Sequence, residues 1–416
     1  MQTFDAEIVT IGDELNRGEI VDTNSSWLAE RLTELGAYVR FRTSVTDDPA
    51  DLAAALRQAA ARATWVVCSG GLGPTDDDRT VDVVAGLTGK EPVRDPAHES
   101  KMATRYAELG FRITPNNLRQ VRVPGGAEVL ENRKGAAPGF QVRLGQASLF
   151  FMPGVPREMK AIFDDEIRPR LAALIGDGVK TAKRTWRVTG MGESHVDHAL
   201  AGLIEGLAGA TLHFRIAYPE TLVTVVARRD DEAEARAVLD RLDGEVRSRL
   251  GDHCYGTGDE GLAQVVGRLL SEREATLAVA ESCTGGMLGQ LVTAVAGSSR
   301  YFRGGIISYD NEIKERLLGV RKETLAAHGA VSPETVIEMA EGARRALGAT
   351  HALAISGIAG PGGGTPQKPV GTVELALACA DRPTETRHLQ WSGTREQVRT
   401  VAAFAALHLL YKSLTR

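Results

Sequence analysis

Cysteine is scarce in this chain. Its four residues, Cys68, Cys254, Cys283 and Cys379, form no Cys-x-x-Cys pair, so neither a zinc knuckle nor a disulfide framework is indicated. Long apolar runs are missing too: none approaches the roughly 20 residues that span a bilayer. Neither sign of charge dominates. Lys and Arg number 49 against 54 Asp and Glu, a formal net charge of −5, which gives no electrostatic reason to bind nucleic acid or an anionic membrane. Residues Met1 to Asp5 lack the basic-then-apolar pattern of a secretory signal. The expected location is the cytoplasm, with no membrane partner and no nucleic-acid partner.

What is present is enough chain for two or three domains: 416 residues, 43% hydrophobic and 25% charged, exceed one ordinary core. The most informative stretch runs from Ala280 to Lys314. An apolar run, Thr276 to Ala280, ends on Ser282 and Thr284 just before Gly285 and Gly286. Apolar residues then return at helical spacing (Met287, Leu288, Leu291, Val292, Val295). Strand, small-residue turn and helix lift a hydroxyl to the end of a sheet and point backbone N–H groups at it. A second strand, Gly305 to Ser308, delivers Tyr309 and then Lys314. A hydroxyl nucleophile with Lys and Tyr in reach predicts acyl transfer without a metal or other cofactor.

The first part alternates strands and helices, which predicts a mostly parallel sheet covered on both faces. Ligands in such sheets sit at the carboxyl ends of strands. One strand, Ala6 to Ile11, ends in Gly12-Asp13-Glu14. Another, Trp65 to Cys68, opens into Ser69-Gly70-Gly71-Leu72-Gly73-Pro74-Thr75-Asp76-Asp77-Asp78-Arg79-Thr80. Gly70, Gly71 and Gly73, with Thr75 and Thr80, predict a phosphate loop. Asp13, Glu14, Asp77 and Asp78 beside it predict a divalent-metal site. The competing reading makes Asp76 to Asp78 caps of the following helix. Polar, glycine-rich loops at Asn132 to Gly139 and Pro153 to Met159 lie nearby, and a helix then reaches about Leu174.

From Thr181 to about Gly251 a small α+β pattern follows, with no cluster of obvious chemistry. A spacer and dimerisation unit is the expected role. Beyond Lys314, a strand from His351 to Ser356 opens into a glycine-dense run holding Gly357, Gly360, Gly362, Gly363 and Lys368. Such a density suggests backbone approach to a ligand phosphate. Arg395 and Arg399, at the start of the final helix, are candidate anion clamps. The fold class expected is α/β, with two α/β sandwich domains (1–174 and 255–416) joined by a small α+β unit (175–254).

Gly12-Asp13-Glu14, Asp22-Thr23-Asn24, Ser-Gly-Gly-Leu-Gly-Pro-Thr and Pro-Gly-Val-Pro-Arg-Glu-Met resemble the CinA (competence/damage-inducible protein A) family. Ala-Glu-Ser-Cys-Thr-Gly-Gly, Ser-Tyr-x-Asn-Glu-x-Lys, Ser-Gly-Ile-Ala-Gly-Pro-Gly-Gly and Lys-Pro-Val-Gly-Thr-Val resemble that family's C-terminal domain. The resemblance implies a molybdopterin-binding-like first domain with metal-dependent ADP-ribose pyrophosphatase activity. Asp77 stands where pterin-binding domains carry Arg. It also implies a KH-type-like connecting domain, here without a Gly-x-x-Gly loop between helices, and a homodimer. For the last domain it implies nicotinamide mononucleotide amidohydrolase activity, with Ser282 as nucleophile and Tyr309 and Lys314 activating it. Thr284, Gly285, Gly286, the glycine loop with Lys368, and Arg395 or Arg399 would then hold the substrate. Two other readings stay open: a molybdopterin-binding first half without pyrophosphatase activity, and a non-enzymatic competence or recombination partner.

An ordinary Lys titrates near pH 10.4, so a base near neutrality needs its charged form destabilised by about 4 kcal/mol. Burial at a strand end could supply that. The sequence leaves Lys314 and Tyr309 both open as the base, and Cys283 as the rival nucleophile to Ser282.

Overall fold

The computed structural model describes residues 4–175 and 180–416. The chain forms two compact units, Met1–Ala182 with Arg228–Arg236, and Lys183–Ala227 with Ala237–Arg416.

The first unit contains β1 (Asp5–Ile11), β2 (Tyr38–Val45), β3 (Trp65–Ser69), β4 (Pro92–Arg94), β5 (Arg122–Pro124), β6 (Glu128–Leu130), β7 (Gly139–Leu144) and β8 (Ala147–Met152). Six of them make one sheet in the order β2-β1-β3-β8-β7-β6, and β4 and β5 pair separately. The strands β2, β1, β3 and β8 are parallel, while β7 runs antiparallel to β8 and β6. Successive strand residues point to opposite faces, and the core obeys that alternation. Val9, Ile11, Val66, Cys68, Leu149 and Phe151 pack with Leu52 and Leu56 of the helix Pro49–Arg62 and Val84 of Thr80–Thr88. The interleaved Ala6, Ile8, Trp65, Val67, Phe150 and Met152 pack with Leu28 and Leu32 of Thr23–Glu34 and Met159 of Pro156–Ile162. With both faces covered, the central strands β1, β3 and β8 are buried almost end to end, and the polar Glu7 in β1 is paired with Arg62. The exit helix expected to about Leu174 runs without a break from Pro156 to Ile175, with one wider, π-type turn at Phe163–Ile167.

The second unit opens within β9 (Lys180–Val188), which joins β10 (Ala210–Ala217), β11 (Glu220–Arg229) and β12 (Cys254–Thr257) in the order β10-β11-β9-β12. A larger sheet follows, built from β13 (Leu277–Glu281), β14 (Phe302–Ile307), β15 (His351–Gly357), β16 (Thr372–Cys379) and β17 (Glu385–Gln390). Its order is β14-β13-β15-β16-β17, with β14, β13 and β15 parallel and the last two antiparallel. One face presents Leu277, Val279, Leu353, Ile355, Leu375 and Leu377 to the helices Leu262–Glu272 and Arg395–Thr415. The other presents alanines (278, 280, 352, 354, 376 and 378) to Pro333–Ala346. Small side chains on the sheet let that helix lie close, since interaxial distance follows side-chain size. The strands β12 and β17 carry little signal in the sequence. The first is four residues long, and the second is an edge strand whose Glu-Thr-Arg-His-Leu-Gln run carries little apolar signal.

Both sheets share one topological property. The chain leaves β1 for β2 on one side and for β3 on the other, and it leaves β13 for β14 and β15 in the same manner. A crevice opens at the carboxyl end of such a strand, where ligands of open α/β sheets bind.

Candidate active sites

Ser282 follows directly on β13, in the crevice of the second unit. Its N–H donates to the Ile355 carbonyl at 3.0 Å, and the Ser308 N–H donates to the Glu281 carbonyl at 2.8 Å. The three strand ends are therefore held flush. Asp310 caps the helix Asn311–Leu318 by accepting from the Glu312 N–H at 2.8 Å, and this helix carries Lys314 inward. Lys314 is only 1% exposed and Ser282 only 8%. Lys314 Nζ donates to the carbonyls of Ser308 (2.8 Å) and Tyr309 (3.2 Å) and lies 3.5 Å from Ser282 Oγ. Burial pulls the Lys314 pKa below its usual value, and the Asp310 carboxylate partly opposes this. A neutral amine has two N–H groups and one lone pair. In that form, with the two carbonyls taking the N–H groups, the lone pair would face Ser282 Oγ. That is the position a general base requires.

The two rivals are placed differently. Burial pushes the Cys283 thiol up to about 11, so near neutrality it is the poorly nucleophilic thiol. Tyr309 is 63% exposed; its hydroxyl accepts from Arg395 Nη2 at 3.2 Å, and its carbonyl, not its phenol, serves Lys314.

The turn after Ser282 corrects one expectation. Gly286 adopts φ +97°, a left-handed conformation that favours glycine, and the chain turns there into the helix Met287–Thr293. The N–H groups at that helix start do not face the hydroxyl. They are taken by the buried Glu281 carboxylate, which accepts from Gly286 (3.0 Å), Leu288 (3.1 Å) and Gly289 (2.8 Å). The N–H groups of Cys283 and Thr284, next to Ser282, are taken by no other residue among the described ones, and the Cys283 N–H faces its own thiol. Thr284 Oγ1, Ser308 Oγ and Arg399 Nε are buried without partners, so the crevice keeps unspent polar groups.

The glycine loop is also more self-contained than its composition implies. A Cβ at Gly357 would meet the Thr372 carbonyl, and one at Gly360 would meet Val370. The close approach at these two positions is to the protein's own chain. Gly362 and Gly363 are exposed. Lys368 Nζ donates to the carbonyls of His328 (2.8 Å) and Val331 (2.7 Å), clasping the loop. Arg395 Nη1 donates to the Gly360 carbonyl at 2.7 Å, and Arg399 Nη2 to the Thr284 carbonyl at 2.7 Å. The two arginines thereby tie the terminal helix to the loop and to the turn after Ser282.

In the first unit, a cavity of about 480 Å³ lies at the crevice beside β1. It gathers Gly12, Glu14, Gly70, Gly71, Gly73, Asp77 and Asp78, as the sequence predicts, and adds Asp47, Arg105, Lys134, Arg157 and Glu158. A Cβ at Gly70, where φ is +121°, would run into the Ile11 carbonyl, so only glycine lets these strand ends meet. Thr80 is buried, with Oγ1 donating to the Gly70 carbonyl at 3.3 Å; it fastens the loop from behind.

The expected metal set does not assemble. Asp78 accepts from the Gly73 N–H (2.7 Å), the Thr75 N–H (2.9 Å) and Thr75 Oγ1 (2.6 Å), so its oxygens shape the loop. Asp13 and Asp47 bind reciprocally, each N–H donating to the other's carboxylate, at 2.9 and 3.1 Å. Burial first, then the charges of Asp13, Glu14 and Asp77, raise the Asp47 pKa. No group of three or more His, Cys, Asp or Glu able to hold an ion occurs among the described residues. Glu14, Asp47 and Asp77 remain facing the cavity. Such a donor set fits a Mg²⁺-like ion held by one or two carboxylates plus substrate phosphates rather than a protein cage.

Fold and sites together define a multidomain α/β protein with a polar crevice at the switch point of each large sheet. Family models match three successive stretches. They are described as "Probable molybdopterin binding domain" over residues 7–173, "Damage-inducible protein CinA KH domain" over 183–256, and "CinA C-terminal domain" over 259–414. A CinA-like protein of Anaeromyxobacter sp. is 46% identical over 413 residues, covering 98% of each chain. Another, from Myxococcus xanthus, is 42% identical over 411 residues at 98% of each. The chain belongs to the CinA-like family. Among solved structures, the competence/damage inducible protein CihA of Agrobacterium tumefaciens is 37% identical, covering 38% of this chain and 95% of that one, with a TM-score of 0.37. The competence damage-inducible protein A of Klebsiella pneumoniae is 39% identical, covering 37% and 96%, with a TM-score of 0.36. No helix among the described residues is long and apolar enough to cross a membrane.

Proposed function

We propose that the chain is a two-site hydrolase of pyridine nucleotide recycling. Its C-terminal part would be a metal-independent amidase acting on nicotinamide mononucleotide. Ser282 Oγ attacks the carboxamide carbon while neutral Lys314 takes the hydroxyl proton. The N–H groups of Cys283 and Thr284 receive the developing oxyanion. As the C–N bond breaks, Lys314 returns the proton to the nitrogen, which departs as ammonia. Water then attacks the acyl carbon, giving a proton to Lys314, and Ser282 is released as the hydroxyl with nicotinate mononucleotide as product. The observation that supports this reading is the buried amine of Lys314, 3.5 Å from Ser282 Oγ with two carbonyls on its N–H groups. Arg395 and Arg399 each retain donors for a 5′-phosphate.

The first unit is read as an ADP-ribose pyrophosphatase, forming AMP and ribose 5-phosphate. The Gly71 and Leu72 N–H groups, which the loop leaves unspent, would bind one phosphate, and Lys134 and Arg157 would balance charge across the cavity. One or two of the carboxylates facing the cavity, from among Glu14, Asp47 and Asp77, would hold a divalent ion together with the substrate phosphates, and the bound ion would neutralise phosphate charge. Ammonia release from nicotinamide mononucleotide, and AMP release from ADP-ribose with and without divalent metal, test the two halves separately. Full amidase activity in Ser282→Ala would remove the nucleophile assignment. Absence of AMP under every divalent metal would remove the pyrophosphatase.

A further inference from the structure

Away from Ser282, the second unit holds a cavity of about 330 Å³. Ile216 and Tyr218 wall it from the β10–β11 turn, Leu389 and Trp391 from the end of β17, and Phe404 from the helix Arg395–Thr415. The Tyr218 and Trp391 rings stand 6.4 Å apart at 60°. This volume, and a mostly apolar lining with few polar groups, are those of a small-molecule pocket.

The polar groups divide into spent and unspent. Glu220 accepts from Arg187 Nη2 at 2.6 Å through one oxygen and from the Tyr255 hydroxyl through the other. The Tyr218 hydroxyl donates to the Gln397 carbonyl at 3.0 Å. Arg387 is different. It lies half-buried on the same face of β17 as Leu389, and its guanidinium makes no hydrogen bond or ion pair among the described residues. Its charge nonetheless reaches the interior: burial first, and the Arg387 guanidinium further, hold buried His408 down at about 4. Glu193, also unpaired, is exposed. A partly desolvated guanidinium without an acceptor is costly, and here it stands in an aromatic-walled cavity.

We propose that this cavity binds a small aromatic anion, with its ring against Tyr218, Trp391 and Phe404 and its carboxylate on the Arg387 guanidinium. The ligand would rest on the helix that carries Arg395 and Arg399, so occupancy is positioned to influence the Ser282 crevice. The binding itself does not depend on what that crevice hydrolyses.

Benzoate and benzamide, which share a ring and differ in charge, are the probes, titrated into the full chain with tryptophan fluorescence and calorimetry as readouts. Benzoate should bind at millimolar concentration or tighter and benzamide about tenfold more weakly. Arg387→Gln should bring benzoate down to the benzamide level, and Arg387→Lys should keep part of the preference. Trp391→Phe should remove the optical signal while calorimetry still detects binding. Ser282→Ala should change neither. The proposal is overturned if benzoate fails to bind at about 10 mM, if folded Arg387→Gln keeps the preference, or if Ser282→Ala abolishes binding.

Discussion

Lys314 Nζ lies 3.5 Å from Ser282 Oγ, and carbonyls of Ser308 and Tyr309 hold its other two directions. The pair is buried, so the low-dielectric surroundings that would make the amine a usable base also make its charge expensive. Removing the amine should separate those two effects. Lys314→Met is expected to lose about 10²–10⁴ of kcat on nicotinamide mononucleotide. The same variant should be more heat-stable than wild type, by roughly 2–4 °C per kcal/mol of relieved desolvation. The sign follows from linkage: a Lys whose folded pKa is depressed costs stability in full below that pKa, and the cost fades as pH rises from the folded pKa towards the unfolded one. The stability gap between Lys314→Met and wild type should therefore narrow with rising pH, as thermal melts across a pH series would show.

Asp310 offers a test of which protonation state works. Its carboxylate raises the Lys314 pKa against the lowering effect of burial. Asn is as good an N-cap as Asp, so Asp310→Asn should keep the helix Asn311–Leu318 while lowering the Lys314 pKa further. If neutral Lys314 is the base, the acid limb of kcat/KM must move to lower pH. A limb that stays put, or moves up, argues for another group.

Glu281 is a positioning residue that acts through the turn. Three N–H groups converge on its carboxylate, and Gln can replace only part of that acceptance while placing an amide N–H against a donor. Glu281→Gln should cost about 1–3 kcal/mol of stability and lower kcat more than it raises KM. A variant with normal kcat and a raised KM would instead assign Glu281 to substrate binding.

In the first unit, two neighbouring aspartates should behave oppositely. Asp78→Ala removes the acceptor of Gly73 and Thr75 and should lower the melting temperature with or without metal. Asp77→Asn should leave stability within about 0.5 kcal/mol and raise the metal concentration needed for half-maximal AMP release. Parallel melts and metal titrations check both.

Much of this was legible in the residues because it depends on local pattern. Alternating apolar runs such as Trp65 to Cys68 and Leu277 to Ala280 placed the central strands, and the Ser282, Tyr309 and Lys314 spacing placed two strand ends and a helix. What escaped depends on contacts distant in sequence or on signals too weak to read. Asp47 enters the acidic crevice only because β2 lies beside β1, and Arg395 reaches Tyr309 across 86 residues of chain. The strand β17 carries charge at alternate positions and packs only one face, so it lacked the apolar run that marked its neighbours. Glu281 was in plain view, yet nothing in the linear motif indicates that its carboxylate folds back onto the helix start.

The most direct test of the central claim is an acid-quenched turnover of nicotinamide mononucleotide followed by peptide mass analysis. The account predicts a nicotinate mononucleotide acyl adduct on Ser282, retained in Cys283→Ala and absent from Ser282→Ala. An adduct on Cys283, or ammonia release at the wild-type rate by Ser282→Ala, would contradict it.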